Sequence, residues 1–226
     1  MLFRLALATF ALLLSSCGKE SNPPNPRAYS DLSTSLKETK SETKRLLGPE
    51  GNRARALWDH VPGADLWTAT ALSEIATLRP LLERTRDRDE FCPDYDHASD
   101  FEKDTCWLRF LSAIARFESD FRPGATYLEA TGSTSVGLLM MNPSHCPKAD
   151  NIEKLKDPVA NIQCASQRLG LLLRRDGWLS GPGNTGGAAY WSVLREPYQV
   201  GTLHLGRRPH ILLFTRSYRA FRDPSL

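Results

Sequence analysis

The sequence predicts a mostly α-helical domain with a small hairpin and loop region. Apolar residues recur at steps of three and four, the pattern of amphipathic helices, in the segments 65–86, 102–119, 158–175 and 207–221. By contrast, residues 122–150 are rich in Gly, Pro, Ser, Thr and Asn, which predicts loops. Strand alternation is weak along the chain, so we expect a small hairpin between about 125 and 137.

The N-terminal residues predict export and attachment to a membrane. Arg4 precedes a short apolar run, too short to span a bilayer, and residues 14–17 (LSSC) resemble a bacterial lipobox. In such signals the peptide is cut before the cysteine, so Cys17 is the predicted lipidation site. An ordinary signal peptide with an incidental cysteine is the alternative. Gly18, which is not an aspartate, favours the outer over the inner membrane, with the protein facing the periplasm.

The remaining chain divides into a tether, an extension and a main domain. Residues 1–17 are the signal, and residues 18–29 are polar and Pro-rich, as expected of a tether. Residues 30–64 form an N-terminal helical extension, and the main domain spans 65–226. Within the main domain, we also expect a turn or short helix near 138–141, a Gly-rich loop at 180–187 and a short helix at 187–195.

Four further cysteines predict two disulfides. An even number of cysteines in an exported chain favours disulfides, and the sequence permits three pairings. We favour the local pairs Cys92–Cys106 and Cys146–Cys164, with buried free thiols as the alternative. Because no CxxC pair is present, we expect neither a zinc site nor a thioredoxin-type centre, and we expect no cofactor.

Composition and motifs exclude several other functions. The net charge of +3 is too small to indicate nucleic-acid binding. The sequence has no GxSxG nucleophile elbow and no HExxH metal motif, and the Gly-rich loop lacks the lysine of a P-loop. Serine hydrolases, metallopeptidases of that type and P-loop enzymes are therefore disfavoured.

The helix of 102–119 carries an acid on its apolar stripe. Trp107, Leu111 and Ile114 follow at helical steps, and the next position on the stripe is Glu118. A carboxyl in apolar surroundings resists ionisation, so its pKa rises to the range that a general acid needs. The alternative is a solvated glutamate, or one bonded to a neighbouring arginine such as Arg116.

Four motifs around this acid resemble those of the soluble-lytic-transglycosylase (SLT) family of lysozyme-like enzymes. In order along the chain they are ESDFRPGA at 118–125, SVGLLMMNP at 135–143, LKDPVANI at 155–162 and AAY at 188–190. The resemblance covers residues 104–195 and implies an α+β lysozyme-like fold with a helical body and a hairpin beside the cleft. This sequence departs from the family where Asp120 replaces Gly, Met140 replaces Gln and Asn142 replaces Met.

The resemblance also implies a reaction and a site. It implies cleavage of the β-1,4 bond between N-acetylmuramic acid and N-acetylglucosamine in peptidoglycan, with Glu118 as acid and then base. The 6-hydroxyl of the muramic acid would attack its own anomeric carbon and leave a 1,6-anhydro end. The substrate-binding residues that the resemblance implies are Ser119, Asp120, Gly137, Leu138, Met140 and Tyr190. The partners are glycan strands and, through Cys17, a membrane; we expect a monomer that does not bind nucleic acid.

Other readings of the same site stay open. A lysozyme would use a second carboxylate. Asp120 points about 200° away from Glu118 on a continuing helix, and Glu129 lies in the loop region, so we favour the transglycosylase. Asp120 beside the acid suggests a preference for deacetylated, cationic glucosamine. The altered second motif also permits a non-catalytic peptidoglycan-binding lipoprotein.

Overall fold

The computed structural model describes residues 55–200 and 203–221, and all of them fall in one compact unit. Its α-helices are α1 (Asp65–Leu82), α2 (Arg88–Phe91), α3 (Asp100–Ser119), α4 (Ile152–Leu155), α5 (Pro158–Asp176) and α6 (Arg208–Arg216). Two antiparallel hairpins accompany them, formed by β1 (Thr126–Leu128), β2 (Thr134–Val136), β3 (Tyr198–Val200) and β4 (Leu203–Leu205). The predicted mostly helical α+β class is therefore confirmed.

Helix α3 is the centre of the fold. It begins with a capping box, in which the Ser99 hydroxyl accepts from Glu102 N (3.3 Å) and the Glu102 carboxylate accepts from Ser99 N (2.8 Å). Every residue from Thr105 to Ala115 is buried, because α1 and α6 both pack against this helix. Helix α5 packs in turn on α1. The end of α3 is consequently a fixed point in the molecule.

Residues 55–64, which the sequence pattern places in the N-terminal extension, pack against the helical domain. The Trp58 side chain is fully buried, and its indole N–H donates to the Thr68 hydroxyl of α1 at 2.9 Å. Its ring meets Trp67 and Phe121 edge to face, with centroids 6.1 and 6.4 Å apart. In addition, Leu57 N donates to the Ser112 hydroxyl of α3 at 3.0 Å. This segment therefore contributes to the core around the end of α3.

The predicted elements differ from the observed ones in several places: α2 and α4 were not predicted, and the helix expected at 207–221 is α-helical only to Arg216 and continues as a 3₁₀ turn. The short helix expected at 187–195 consists of two 3₁₀ turns, Gly186–Ala189 and Ser192–Leu194, because glycines and close packing on Trp178 and Leu179 leave no room for a continuous α-helix. The hairpin of β3 and β4 was not predicted, since three-residue strands carry too little alternation to be recognised. The β1–β2 hairpin lies within the predicted range.

Both predicted disulfides are present. Cys92–Cys106 ties the loop after α2 to the middle of α3. Cys146–Cys164 ties the 3₁₀ turn Pro143–His145 to α5. Cys17, the tether of 18–29 and residues 30–54 of the predicted helical extension lie outside the described residues. None of the helices in the described ranges has the length and apolar character needed to cross a membrane.

Candidate active site

Glu118 lies in the last turn of α3, where the helix stops abruptly. Asp120 and Phe121 both adopt left-handed backbone conformations (φ 54° and 59°), which turn the chain away from the helix axis. The Glu118 side chain is only partly exposed. Burial, and to a smaller extent the negative charge of Glu129, together raise the pKa of this carboxyl to about 7. A substantial fraction of Glu118 is therefore protonated at neutral pH, as a general acid requires.

Ser119, the next residue, connects the helix end to the second motif. Its buried hydroxyl donates to the carbonyl oxygen of Leu138 at 2.9 Å and lies 3.2 Å from that of Ala115. The sequence predicts that Ser119 binds substrate. Its hydrogen bonds to the backbone instead support a role in positioning the acid. Leu138 is itself fully buried, so it presents its backbone to the neighbouring residues.

The second motif forms a tight turn between Val136 and Met141, whose backbones pair in both directions (2.9 and 2.8 Å). Gly137 has φ 85°, and a Cβ at this position would lie 2.2 Å from the Asn161 amide nitrogen. Only glycine fits here, both for its backbone conformation and for the close approach. Met140 is partly exposed and has a left-handed φ of 46°, so its side chain leaves the turn on the accessible side.

Asn161 on α5 holds this turn in place. Its amide nitrogen donates to the carbonyls of Val136 (2.8 Å) and Leu155 (2.9 Å), and its amide oxygen accepts from Leu139 N (2.9 Å). The residue is fully buried. Asn161 is not among the predicted site residues. Its position in the DPVANI motif is the sequence feature that could have identified it.

Tyr190 lies on the other side of the same turn. Its hydroxyl accepts from Asn142 N at 2.8 Å and donates to the Met140 carbonyl at 3.2 Å. Burial raises its pKa to about 12, so the phenol stays protonated. The charges of Glu118 and Glu129 both act on Tyr190, which places it near the pair of acids. Trp191 beside it is buried and donates to the Leu139 carbonyl at 2.9 Å, so it is a core residue.

Glu129 follows β1 in the hairpin turn and brings a second carboxylate to the site. Its carboxylate accepts from the Ser135 hydroxyl at 2.7 Å, and its backbone pairs with Ser133 and Gly132. These contacts within one hairpin fix the Glu129 carboxylate, and its negative charge raises the pKa of Glu118. The sequence places Glu129 in the loop region, and its effect on Glu118 follows only from the folded structure.

Asp120 has a different environment from its neighbour. It is exposed, caps the C-terminus of α3 and forms an ion pair with Arg116 one turn earlier. The Arg116 guanidinium also lies over the Phe121 ring, 5.7 Å from its centroid. Much of the negative charge that would attract a cationic sugar is therefore compensated locally. A preference for deacetylated glucosamine at Asp120 stays a prediction.

Together, the helix end, the turn and the hairpin define a glycosidase-type site in a lysozyme-like fold. In the described ranges no group of three His, Cys, Asp or Glu side chains has a metal-binding arrangement. The chemistry available on these residues is proton transfer by a partly buried carboxyl, with a second carboxylate nearby.

Comparison with known proteins leads to the same class. Residues 99–181 match the family described as the transglycosylase SLT domain. The solved structure of Bd0314 DslA, wild-type form 2, superposes with a TM-score of 0.62 at 26% identity, covering 75% of this chain and 98% of that chain. Two glutamate-to-glutamine mutants of Bd0314 DslA superpose with TM-scores of 0.61 and 0.62 at 27% identity, covering 74% of this chain and 97% of theirs. A search of curated proteins found no match.

Residues 99–181 therefore match the SLT family within a lysozyme-like fold, as the four motifs predict. At the level of the family, this implies activity of the peptidoglycan lytic transglycosylase type, with glycan strands as substrate.

Proposed function

We propose that this protein cleaves the β-1,4 bond between N-acetylmuramic acid and N-acetylglucosamine, with Glu118 as general acid and then general base. The observation that carries the proposal is the Glu118 carboxyl itself, partly buried at a helix end, with its pKa raised to about 7. Ser119 and Leu138 fix the helix end against the Gly137 turn, so the carboxyl is held in one place. Tyr190 holds the other side of that turn.

The reaction needs one proton to be delivered and one to be removed. Protonated Glu118 donates its proton to the glycosidic oxygen as the bond to the anomeric carbon breaks. The 6-hydroxyl of the muramic acid then bonds to its own anomeric carbon, and Glu118, now a carboxylate, takes the proton of that hydroxyl. The products are a free 4-hydroxyl end and a 1,6-anhydromuramic end, and Glu118 is again protonated.

Hydrolysis to reducing ends is the second candidate, and Glu129 favours it. A carboxylate close enough to act on Glu118 is a suitable base for an attacking water. The two glutamates replaced in the Bd0314 DslA mutants are 11 positions apart in that protein, the same separation as between Glu118 and Glu129. This agreement supports a functional role for both acids, whichever product forms.

Digestion of purified sacculi with mass spectrometry of the products tests both candidates. We expect Glu118→Gln to lower the rate at least about a hundredfold, since the general acid is lost, and the exposed Glu153→Gln to leave it unchanged. Anhydromuramic ends that persist in Glu129→Gln support the transglycosylase. Reducing ends that disappear with Glu129→Gln support hydrolysis. If wild-type protein binds sacculi but releases nothing, the chain is a binding lipoprotein and the proposal is wrong.

A further inference from the structure

A second polar cluster consists of Arg168, His145 and Tyr190. The Arg168 guanidinium of α5 stacks on the Tyr190 ring, with Cζ 5.4 Å from the centroid. The His145 ring meets the same tyrosine edge to face, 5.4 Å between centroids. Arg168, His145 and Tyr190 are each partly exposed. The cluster is therefore accessible and shares a residue with the proposed active site.

The cluster is held rigidly by a disulfide. Cys164 and Arg168 are four residues apart on α5, so they lie on the same face of that helix. Cys146 directly follows His145, and its bond to Cys164 fixes the Pro143–His145 turn beside that face. A covalent clamp at this point means that His145 and Arg168 do not need to be brought together by a ligand.

The positive charge of Arg168 has no acidic partner among the described residues. None of the ion pairs formed within residues 55–200 and 203–221 includes Arg168, and its Nε is buried without a hydrogen-bond partner. His145 Nδ1 is likewise buried and unpartnered. Buried polar nitrogens without partners are rare in folded proteins, and an uncompensated guanidinium is costly. An anionic ligand that contacts the exposed part of the Arg168 guanidinium would supply the missing charge.

Tyr190 connects the cluster to the second motif. Its hydroxyl contacts the backbone of Met140 and Asn142, and it also lies within the influence of the Glu118 and Glu129 charges. The pKa of His145 is lowered, by burial first and by the Arg168 charge second, so the imidazole is neutral at neutral pH. The charge available to a ligand is consequently that of Arg168, whose planar guanidinium suits a carboxylate.

We propose that Arg168, with His145 and Tyr190, binds a carboxylate carried by the muramic acid substituent of the glycan. This inference rests on the proposed function, because it takes a peptidoglycan strand as the ligand. Two carboxylates share the required chemistry. One is on the peptide attached to the muramic acid, and the other is the lactyl carboxylate exposed when that peptide has been removed.

Binding measurements in the Glu118→Gln background test this without turnover. The ligands are a peptide-bearing muropeptide oligosaccharide, the same glycan without its peptide, and each of these with its carboxylates converted to amides. We expect the protein to prefer at least one carboxylate form over its amide by about tenfold, and Arg168→Gln to abolish that preference. The ligand that shows the preference identifies its source, peptide or lactyl group.

Arg174→Gln is the matched control, since Arg174 is exposed on the same helix; it should keep the preference, and Arg168→Lys should restore part of it. Thermal unfolding shows whether each variant is folded. The inference is overturned if the parent binds carboxylate and amide equally, or if folded Arg168→Gln keeps the preference. Failure of the proposed function is a separate result, seen when wild-type protein does not cleave sacculi or when Glu118→Gln cleaves them normally.

Discussion

At the scale of single residues, Glu118 combines two environments that act in the same direction. Its carboxyl is shielded from water at the end of a buried helix, and Glu129 adds a negative charge nearby. Both effects disfavour ionisation. Neighbouring Asp120 shows the contrast, because it is exposed and paired with Arg116. Two adjacent acids on one helix end thus have different properties, and only the partly buried one suits proton donation.

The raised pKa of Glu118 predicts a pH-dependent stability difference. The pKa rises from 4.5 to about 7 on folding, so the folded protein holds a proton more tightly than the unfolded chain. The stability that this protonation contributes is complete below pH 4.5 and is lost as the pH rises through about 7. Glu118→Gln avoids this loss. We expect the free energy of unfolding of Glu118→Gln, relative to wild type, to be higher at pH 8 than at pH 4 by about 3 kcal/mol at most.

Urea denaturation at the two pH values measures this difference. Glu153→Gln serves as the control, because Glu153 is exposed and pairs only with Lys156 at the surface. A stability difference for Glu118→Gln that does not change with pH would show that the carboxyl ionises normally.

The cleavage rate should also fall above about pH 7, where the acid loses its proton.

At the scale of elements, α5 positions the Gly137 turn through a single side chain. Asn161 forms hydrogen bonds with three backbone groups, Leu139 N and the carbonyls of Val136 and Leu155. The turn carries Leu138, which holds Ser119, and Met140, which binds Tyr190. The position of Glu118 therefore depends on Asn161, although Asn161 takes no part in the proposed reaction.

Asn161→Ala should be strongly destabilising. It removes three hydrogen bonds to the backbone of Val136, Leu139 and Leu155, which we expect to cost about 3 kcal/mol of unfolding free energy. The matched control is Asn151→Ala, which removes an exposed helix cap at α4 and should cost about 1 kcal/mol. Chemical denaturation of both variants makes the comparison. Equal losses would mean that Asn161 is not the support that its contacts indicate.

At the scale of the whole molecule, the core includes residues that precede α1 in the sequence. Trp58 is fully buried between α1 and Phe121, which comes two residues after the end of α3. The ring consequently links residues 55–64 to the part of the chain that orients Glu118. A protein beginning at residue 65 would lack this packing.

Trp58→Ala tests this extension of the core. Removing a buried tryptophan leaves a cavity, and we expect a loss of about 3–5 kcal/mol of unfolding free energy, with lower cleavage activity in the fraction that stays folded. Leu66→Ala, at an exposed position on α1, should change stability by less than about 1 kcal/mol. Differential scanning calorimetry with a sacculus assay measures both effects. Wild-type stability in Trp58→Ala would contradict the assignment.

Much of this organisation follows from the sequence. Helical periodicity predicts α1, α3, α5 and α6, because each carries apolar residues at steps of three and four. The continuation of one apolar stripe marks Glu118, and four ordered motifs lead to the SLT family. Local cysteine spacing predicts both disulfides. All of these signals lie within short stretches of chain.

Only the tertiary structure shows which distant residues meet. In the folded protein the charge of Glu129 raises the pKa of Glu118. Arg168 and His145 both contact the Tyr190 ring. Trp58 is buried beside Phe121. None of these contacts has a local pattern, because each depends on how helices and hairpins pack rather than on the spacing within one of them. The sequence by itself therefore determined the long helices, the match to the SLT family and Glu118 as the candidate acid. The packing decided the environment of that acid, since burial and charge proximity exist only once the chain is folded.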